Sequence, residues 1–531
     1  MEWLAGRIML LSGARRALVA FVAGLIAVLA LPPFGIFAAP FLSFPILVWL
    51  IDGASGNPDH GLLRRRFPAF FIGWCFGFGY FLGGLWWLGN ALLVEADEFA
   101  WALPLAVIGV PAFLALFYAF AAAVARILWS DGMGRIAALA FAFGLFEWLR
   151  SFILTGFPWN AIGYAAMPVP LMMQSAAVIG LAGVNMLAVF VFAAPALIGT
   201  RKGLRAGLSL AVLLVAAHFG YGFYRLEQPL PQPADPAVTV RLVQPLIDQS
   251  KKIDDSERMA IFEEHLQLTQ ALPADGGKRP DIVVWPETSV PFILTENPDA
   301  LLRISDVLQD GQILIAGAVR AEDTGAGQPP RYYNSIYVID DRGQIVGASD
   351  KVHLVPFGEY LPLEGLLKAA GLNAIAAAMP GGFSSAVTRS LLTLPGGKTL
   401  YPLICYEAIF PGEIGNDALA ANALLNLTND AWFGNTPGPY QHFQQARLRS
   451  VETGLPLIRD ANTGISAIVN GRGEVVTGFP FGTRGFVDTI LPGKVALPMS
   501  PGEQERNGML LACFLFSLAL FSRASFILRE N

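Results

Sequence analysis

A carboxylate, an amine and a thiol stand where three short apolar runs end. Glu287 closes Ile282-Val283-Val284-Trp285-Pro286-Glu287, Lys351 follows the run Gly343-Gln344-Ile345-Val346-Gly347-Ala348, and Cys405 follows Leu400-Tyr401-Pro402-Leu403-Ile404. A thiol can attack a carbonyl carbon, a carboxylate can take its proton, and an ammonium can hold the oxyanion that forms. Each residue has a plainer reading. Glu287 fits a surface acid or an ion-pair partner, Lys351 a solvated turn lysine after Asp350, and Cys405 a core thiol beside Ile404.

The elements that must position these groups lie in the one long stretch of ordinary polarity. The chain has 531 residues and only 15% of them are charged, against about 25% in an ordinary soluble protein. Its mean hydropathy is +0.51. Residues 1–225 and those after about 507 hold little charge between short Arg/Lys clusters. This pattern predicts a helical membrane bundle carrying a large soluble domain. The net charge of −5 and pI of about 5.7 supply no basic field for nucleic acid.

Seven apolar stretches precede the soluble part, at 17–34, 38–51, 67–88, 99–128, 137–153, 171–198 and 206–223, and an eighth covers 508–521. A span needs roughly 20 apolar residues, so the second and eighth are short enough to be interfacial or re-entrant. With the N-terminus in the cytoplasm, thirteen basic residues fall on that side: Arg7, Arg15, Arg16, Arg64, Arg65, Arg66, Arg126, Arg135, Arg201, Lys202, Arg205, Arg523 and Arg529. The short opposite loops hold Arg150 and Arg225 with Glu95, Asp97 and Glu98. This is the positive-inside pattern, and seven spans then place the soluble domain in the periplasm, with both termini cytoplasmic. The first stretch lacks an evident cleavage site and reads as a retained span. Cys75 and Cys513 lie in apolar stretches, which leaves Cys405 as the one thiol of the soluble part: a small buried hydrophobe or a reactive group.

The expected organisation is a bundle over 1–225, a linker over 226–236 stiffened by Pro229, Pro231, Pro233 and Pro236, a catalytic domain over 237–495, and a C-terminal span and tail over 496–531. Strand-like runs fall at 238–243, 282–285, 313–316, 335–339, 344–347, 400–404, 423–427, 457–460, 466–469 and 485–490. Helical patterns lie at 258–272, 298–309 and 441–453. Interleaved strands and helices predict a layered α/β or α+β domain.

The order Glu287, Lys351, Cys405, with Trp285-Pro286-Glu287 first and Cys405-Tyr406-Glu407 last, resembles the nitrilase superfamily. Joined to a membrane bundle and a C-terminal span, the chain is similar to the apolipoprotein N-acyltransferase family. Lys351-Val352-His353-Leu354-Val355-Pro356-Phe357-Gly358-Glu359-Tyr360-Leu361-Pro362 matches its lysine segment, and Asn426-Leu427-Thr428-Asn429-Asp430-Ala431-Trp432-Phe433-Gly434 the segment after the nucleophile. Glu147-Trp148-Leu149-Arg150 and Gly156-Phe157-Pro158-Trp159 match its membrane part. The resemblance implies an α-β-β-α sandwich fused to about eight spans. It makes Glu287 the general base, Lys351 the oxyanion holder and Cys405 the nucleophile, with Glu359, Tyr406 and Glu407 in support. Glu359 is expected to orient Lys351 or the attacking amine. The implied donor is a glycerophospholipid and the implied acceptor the N-terminal amine of a diacylglyceryl-cysteine apolipoprotein, with no metal or organic cofactor. The chain departs from the family pattern after Gln244-Pro245, where Ile253 stands about where a Trp is often found.

Two other functions fit parts of the sequence. A membrane-tethered amidase would use the same three residues with water as acceptor. A transporter would need ionisable residues within several spans, and the stretches offer chiefly Glu147 and Arg150. The five histidines, His60, His218, His265, His353 and His442, are scattered and share no metal-ligand spacing with a Cys. The glycines of 77–84 suit helix packing in a membrane.

Overall fold

The computed structural model describes all residues except 1, 55, 57, 58, 60, 274, 275, 326, 327, 363–381 and 531. His60 lies outside the described residues, as does the side chain of Ile253. The chain divides into two compact units. The first comprises Met1–Pro229, Thr436–Glu452 and Leu497–Asn531, the second Leu230–Asn435 and Thr453–Ala496.

The first unit is helical. Among the described residues, five helices are long and apolar enough to cross a membrane: Arg64–Leu93, Ala96–Ile127, Ala176–Gly199, Leu204–Glu227 and Pro501–Leu528. The expectation of eight spans is corrected to these five, and length and charge explain the difference. The first expected span is a helix of 16 residues, Gly13–Val28, and the second is Pro40–Asp52, with 13 residues. At 1.5 Å per residue neither covers a hydrocarbon core of about 30 Å. The fifth, Met133–Arg150, has 18 residues but carries Arg135, Glu147 and Arg150. The eighth stretch, read as short, belongs instead to a helix running Pro501–Glu530.

Those three charges are paired inside the unit, which is how a low-dielectric interior tolerates them. Arg135 meets Asp52 at 2.9 Å. Arg150 pairs with Glu147, which also accepts from Tyr118 Oη at 2.6 Å. Arg150 Nη1 donates to the Trp159 carbonyl at 3.0 Å, so the two membrane motifs of the sequence lock together. Glycines allow the helices to touch: a Cβ on Gly24 would overlap the Phe76 carbonyl, and one on Gly79 the Phe21 carbonyl. The helix Pro437–Thr453, expected in the soluble part from 441, groups with this unit up to Glu452. Its Gln441 Oε1 accepts from Trp159 Nε1 at 3.0 Å, Asn160 Nδ2 at 3.0 Å and Trp87 Nε1 at 3.2 Å.

The second unit holds two six-stranded sheets. The strands are β1 (Thr239–Gln244), β2 (Ile282–Val290), β3 (Ile313–Glu322), β4 (Arg331–Asp340), β5 (Ile345–Asp350), β6 (Leu392–Thr393), β7 (Thr399–Ile404), β8 (Ala423–Asn429), β9 (Leu457–Asn462), β10 (Ala467–Val469), β11 (Val475–Gly478) and β12 (Gly485–Ile490). One sheet runs β12-β1-β2-β3-β4-β5 and the other β11-β10-β9-β8-β7-β6. Each has a parallel centre, β1-β2-β3 and β7-β8-β9, with antiparallel strands at its flanks.

Alternation along β2 shows how the layers form. Ile282 and Val284 pack in a core shared with Leu400, Leu425 and Ile458 of the other sheet. Val283 and Trp285 point the other way, into a core with Phe262 and Leu266 of helix Arg258–Gln270 and Ile304 of helix Pro298–Val307. A strand buried on both faces must be apolar at every position, and β2 is apolar from Ile282 to Trp285. The two strands absent from the sequence reading, β6 and β11, are short flanking strands. Lys351 and Cys405 follow the carboxyl ends of β5 and β7, and Glu287 lies in the last half of β2, where its pairing with β3 is interrupted. The carboxyl side of the strands is the usual place for a site in such sheets.

Candidate active site

Glu287 lies where β2 leaves its regular ladder. Pairing with β3 is regular through Trp285 and resumes, shifted, at Val290. Pro286 has no N–H to give, and Thr288 takes a left-handed φ of 44°. Lys252 Nζ braces the bend by donating to the carbonyls of Glu287 at 3.2 Å and Thr288 at 3.3 Å. Burial lowers the Lys252 pKa to about 8, against an upward pull from Glu287. Trp285 anchors the strand through a 2.9 Å hydrogen bond from Nε1 to Thr269 Oγ1.

Lys351 follows β5. Because β4 runs antiparallel to both β3 and β5, the ends of β3 and β5 share one edge of the sheet, and β2 is parallel to β3. Glu287 and Lys351 thus meet at that edge, with Lys351 Nζ 3.7 Å from Glu287 Oε1. Its nearer partner is Glu359 Oε1, at 2.8 Å. The lysine is 1% exposed as a residue, so the reading of a solvated turn lysine fails. Burial opposes its charge, but Glu359, Glu287 and Cys405 together outweigh that and raise its pKa well above the ordinary value. Lys351 is therefore an ammonium throughout the physiological range.

Cys405 follows β7 with a left-handed φ of 51°. That conformation costs a residue with a Cβ about 1–3 kcal/mol and is found where surroundings hold a functional turn in place. The thiol is buried. Burial raises its pKa strongly, Glu287 adds to the rise, and Lys351 pulls it back. The thiol is thus neutral at pH 7 and needs a base before it can attack. That both charged groups act on it puts the three residues in one site.

The supporting residues fall into two roles. Glu359 accepts from Lys351 through Oε1 and from the Val355 N–H through Oε2 at 2.8 Å, so it fixes the lysine and the loop after it. Glu407 accepts from the N–H groups of Ile404 at 2.6 Å, Val352 at 2.8 Å and His353 at 3.1 Å, and from Arg389 Nη2 at 2.9 Å. It thereby ties the Lys351 loop to the turn carrying Cys405. Tyr406 is buried and packs edge-on against Phe410, with ring centres 4.9 Å apart.

Sequence reasoning missed Asn334. Its Nδ2 donates to Glu287 Oε1 at 2.8 Å and to Glu359 Oε1 at 2.9 Å, and its carbonyl accepts from the Lys351 N–H at 2.8 Å. A lone Asn within a β run carries no local signal; only the β3–β4–β5 register brings it there. Arg389, in an irregular segment before β6, was also missed: its contact to Glu407 joins residues 18 apart and leaves no local signal. The segment 426–434 was matched as a motif without a role. Asn426 Nδ2 donates to the Leu403 carbonyl at 2.9 Å, and Asp430 pairs at 2.8 Å with Arg459, both fully buried behind the Cys405 turn. His265 is a core residue: its Nδ1 bonds the Ile261 carbonyl at 2.7 Å, and burial lowers its pKa to about 3. No metal-binding cluster of His, Cys, Asp and Glu occurs among the described residues.

Comparison with known proteins gives the chain its relatives. Residues 23–194 match the family described as apolipoprotein N-acyltransferase N-terminal domain, and residues 239–495 match carbon-nitrogen hydrolase. The chain is 69% identical to the apolipoprotein N-acyltransferase of Sinorhizobium fredii (strain NBRC 101917 / NGR234), covering 100% of both chains. It is 67% identical to that of Rhizobium meliloti (strain 1021), again over 100% of each. Among solved structures it is similar to the amidase from Nesterenkonia sp. AN1, at 16% identity and a TM-score of 0.35, over 53% of this chain and 96% of that one. A likeness that low carries no argument about chemistry, but identity of this degree over the whole length does settle kinship: the chain belongs to the apolipoprotein N-acyltransferase family.

Proposed function

We propose that this protein moves an acyl chain from a glycerophospholipid to the N-terminal amine of a diacylglyceryl-cysteine apolipoprotein, through a thioester on Cys405. Full-length kinship with named acyltransferases favours this over an amidase using water and over a transporter. The observation that carries the mechanism is the buried Lys351 ammonium, held by Glu359 at 2.8 Å and acting on both Glu287 and Cys405.

Glu287 takes the thiol proton as sulfur attacks the ester carbonyl. The oxyanion forms against Lys351 Nζ and the backbone N–H of Tyr406. As the carbon–oxygen bond breaks, Glu287 returns the proton to the leaving oxygen, and a lysophospholipid departs. The acceptor amine then attacks the thioester, Glu287 takes its proton, and the same donors hold the second oxyanion. When the carbon–sulfur bond breaks, Glu287 returns that proton to sulfur, the amide leaves and the Cys405 thiol is restored. Nothing in this cycle calls for a metal or organic cofactor.

The protein is a multi-pass membrane protein, and its relatives are bacterial. We place the nitrilase-like sandwich in the periplasm and the C-terminus, one span away across Pro501–Leu528, in the cytoplasm. The five spans among the described residues are an odd number and do not also return the N-terminus to that side, so the expectation of two cytoplasmic termini is withdrawn. Supporting this, Arg65, Arg66, Arg126, Arg135 and Arg523 line one cavity of the helical unit, as basic residues facing a single side would.

Covalent transfer gives ping-pong kinetics. Purified protein given phospholipid without acceptor should gain one acyl group that hydroxylamine removes, and Cys405→Ala should gain none. Cys405→Ser should discharge poorly if it acylates, because an oxygen ester reacts less readily with an amine. Intersecting double-reciprocal lines with no adduct on Cys405 would mean direct transfer in a ternary complex and would remove Cys405 as nucleophile.

A further inference from the structure

The helical unit holds a second polar site that the acyl transfer does not use. A cavity of about 440 Å³ opens among helix ends: the end of Pro40–Asp52, the start of Leu62–Leu85, the end of Val110–Ile127, the start of Met133–Arg150 and the last turns of Pro501–Glu530. Five arginines line it, Arg65, Arg66, Arg126, Arg135 and Arg523, against two acids, Asp52 and Asp131. The acids are already engaged. Asp52 pairs with Arg135 at 2.9 Å and accepts from Trp129 Nε1 at 2.8 Å, and Asp131 pairs with Lys202. No salt bridge joins Arg65, Arg66 or Arg126 to an acid among the described residues.

Packing this many like charges round one cavity is unfavourable unless an anion sits among them. A second feature points the same way. Ser130 is 4% exposed and lines the cavity, yet its Oγ has no hydrogen-bond partner among the described residues, and neither has the buried Nε of Arg66 or of Arg135. Buried polar atoms are nearly always satisfied, so these donors fit an acceptor that the protein itself does not supply. Planar guanidinium forks with a hydroxyl suit the oxygens of a phosphate. The surroundings identify its carrier. Phe67 and Ile127, next in sequence to Arg66 and Arg126, are exposed, and Phe526 lines the cavity itself. Apolar surface beside a basic pocket between membrane helices matches a headgroup with its acyl chains alongside.

We propose that this cavity binds the phosphate of an anionic phospholipid, at a site separate from the one containing Cys405. The test uses the delipidated full-length protein in detergent and counts retained lipid by native mass spectrometry, with dioleoylphosphatidylglycerol and dioleoylphosphatidylcholine as probes. Wild-type protein should retain the glycerol lipid on the order of tenfold better than the choline lipid, as a few arginines near an anionic headgroup allow. The double variant R66Q/R126Q should lose that preference while holding the choline lipid as before, and R66K/R126K should keep most of it. Inorganic phosphate is the arm that separates sources. If it displaces phosphatidylglycerol, the site recognises phosphate as such; if it does not, recognition requires the lipid. Equal retention of the two lipids by wild-type protein, with no effect of phosphate on thermal unfolding, overturns the proposal even if the variants fail to fold. So does an unchanged preference in a folded R66Q/R126Q.

Discussion

Lys351 Nζ donates to Glu359 Oε1 at 2.8 Å, and lies 3.7 Å from Glu287. The closer carboxylate is not the proposed base. Glu359 holds the ammonium through the shorter contact, and Glu287 stands beside it. Replacing Lys351 by Ala should therefore cost transfer on the order of 10²-fold or more. Glu359→Gln, which can still accept a hydrogen bond, should cost about tenfold, and Glu359→Ala about 10²-fold, because a misplaced catalytic group is costly. Turnover with a lipopeptide acceptor, in protein shown to be folded and membrane-inserted, checks the order. Near-normal turnover in Lys351→Ala would return that residue to a structural role.

Asn334 gives a separate prediction. It donates to Glu287 and Glu359 at once, so Asn334→Ala leaves two carboxylates short of a donor. Each lost charged hydrogen bond is worth about 1.5–3 kcal/mol. Asn334→Asp should be worse, since it puts a third carboxylate beside the first two. Thermal unfolding and turnover should both fall in the order wild type, Asn334→Ala, Asn334→Asp. A wild-type profile for Asn334→Asp would show that the Glu287–Asn334–Glu359 bridge has no role.

The Cys405 thiol should show its environment in its pH dependence. Its pKa is raised by burial and by Glu287 and lowered by Lys351. Only the thiolate alkylates, and below the pKa its fraction grows about tenfold per pH unit. Iodoacetamide labelling of Cys405 should thus keep rising from about pH 6 to about pH 10 with no plateau, unlike a free cysteine with a pKa of about 8.5. The variants should move in opposite directions: Glu287→Gln lowers the thiol pKa and speeds labelling, and Lys351→Met slows it. A plateau near neutral pH would mean a resting thiolate and no need for a base.

Topology is open to a test that does not depend on the number of spans. Only the helix Leu204–Glu227 separates Thr200 from Gln232. Reporter fusions at these two residues should read opposite sides, with Thr200 cytoplasmic and Gln232 periplasmic, as the basic cluster Arg201, Lys202 and Arg205 implies. The same side for both would show that this helix does not span.

The sequence by itself determined where the chemistry-bearing residues sit along the chain. Lys351 and Cys405 lie just past strand ends as their local patterns predict, since an apolar run bounded by Pro or a polar residue is a local signal, whereas the strand expected to end at Glu287 runs on to Val290. Ten of the twelve strands among the described residues and the β4–β5 hairpin were legible for the same reason. The span count was not. Hydropathy averages over a window, whereas Gly13–Val28 and Pro40–Asp52 are limited by where each helix ends, and Met133–Arg150 by charges whose partners are distant in sequence. The tertiary structure alone decided which side chains meet. The register of β3, β4 and β5 brings Asn334 between two carboxylates, and Glu407 reaches back over 50 residues to hold the loop after Lys351. Such contacts depend on strand order and on the facing of two sheets, quantities that no residue and its near neighbours encode.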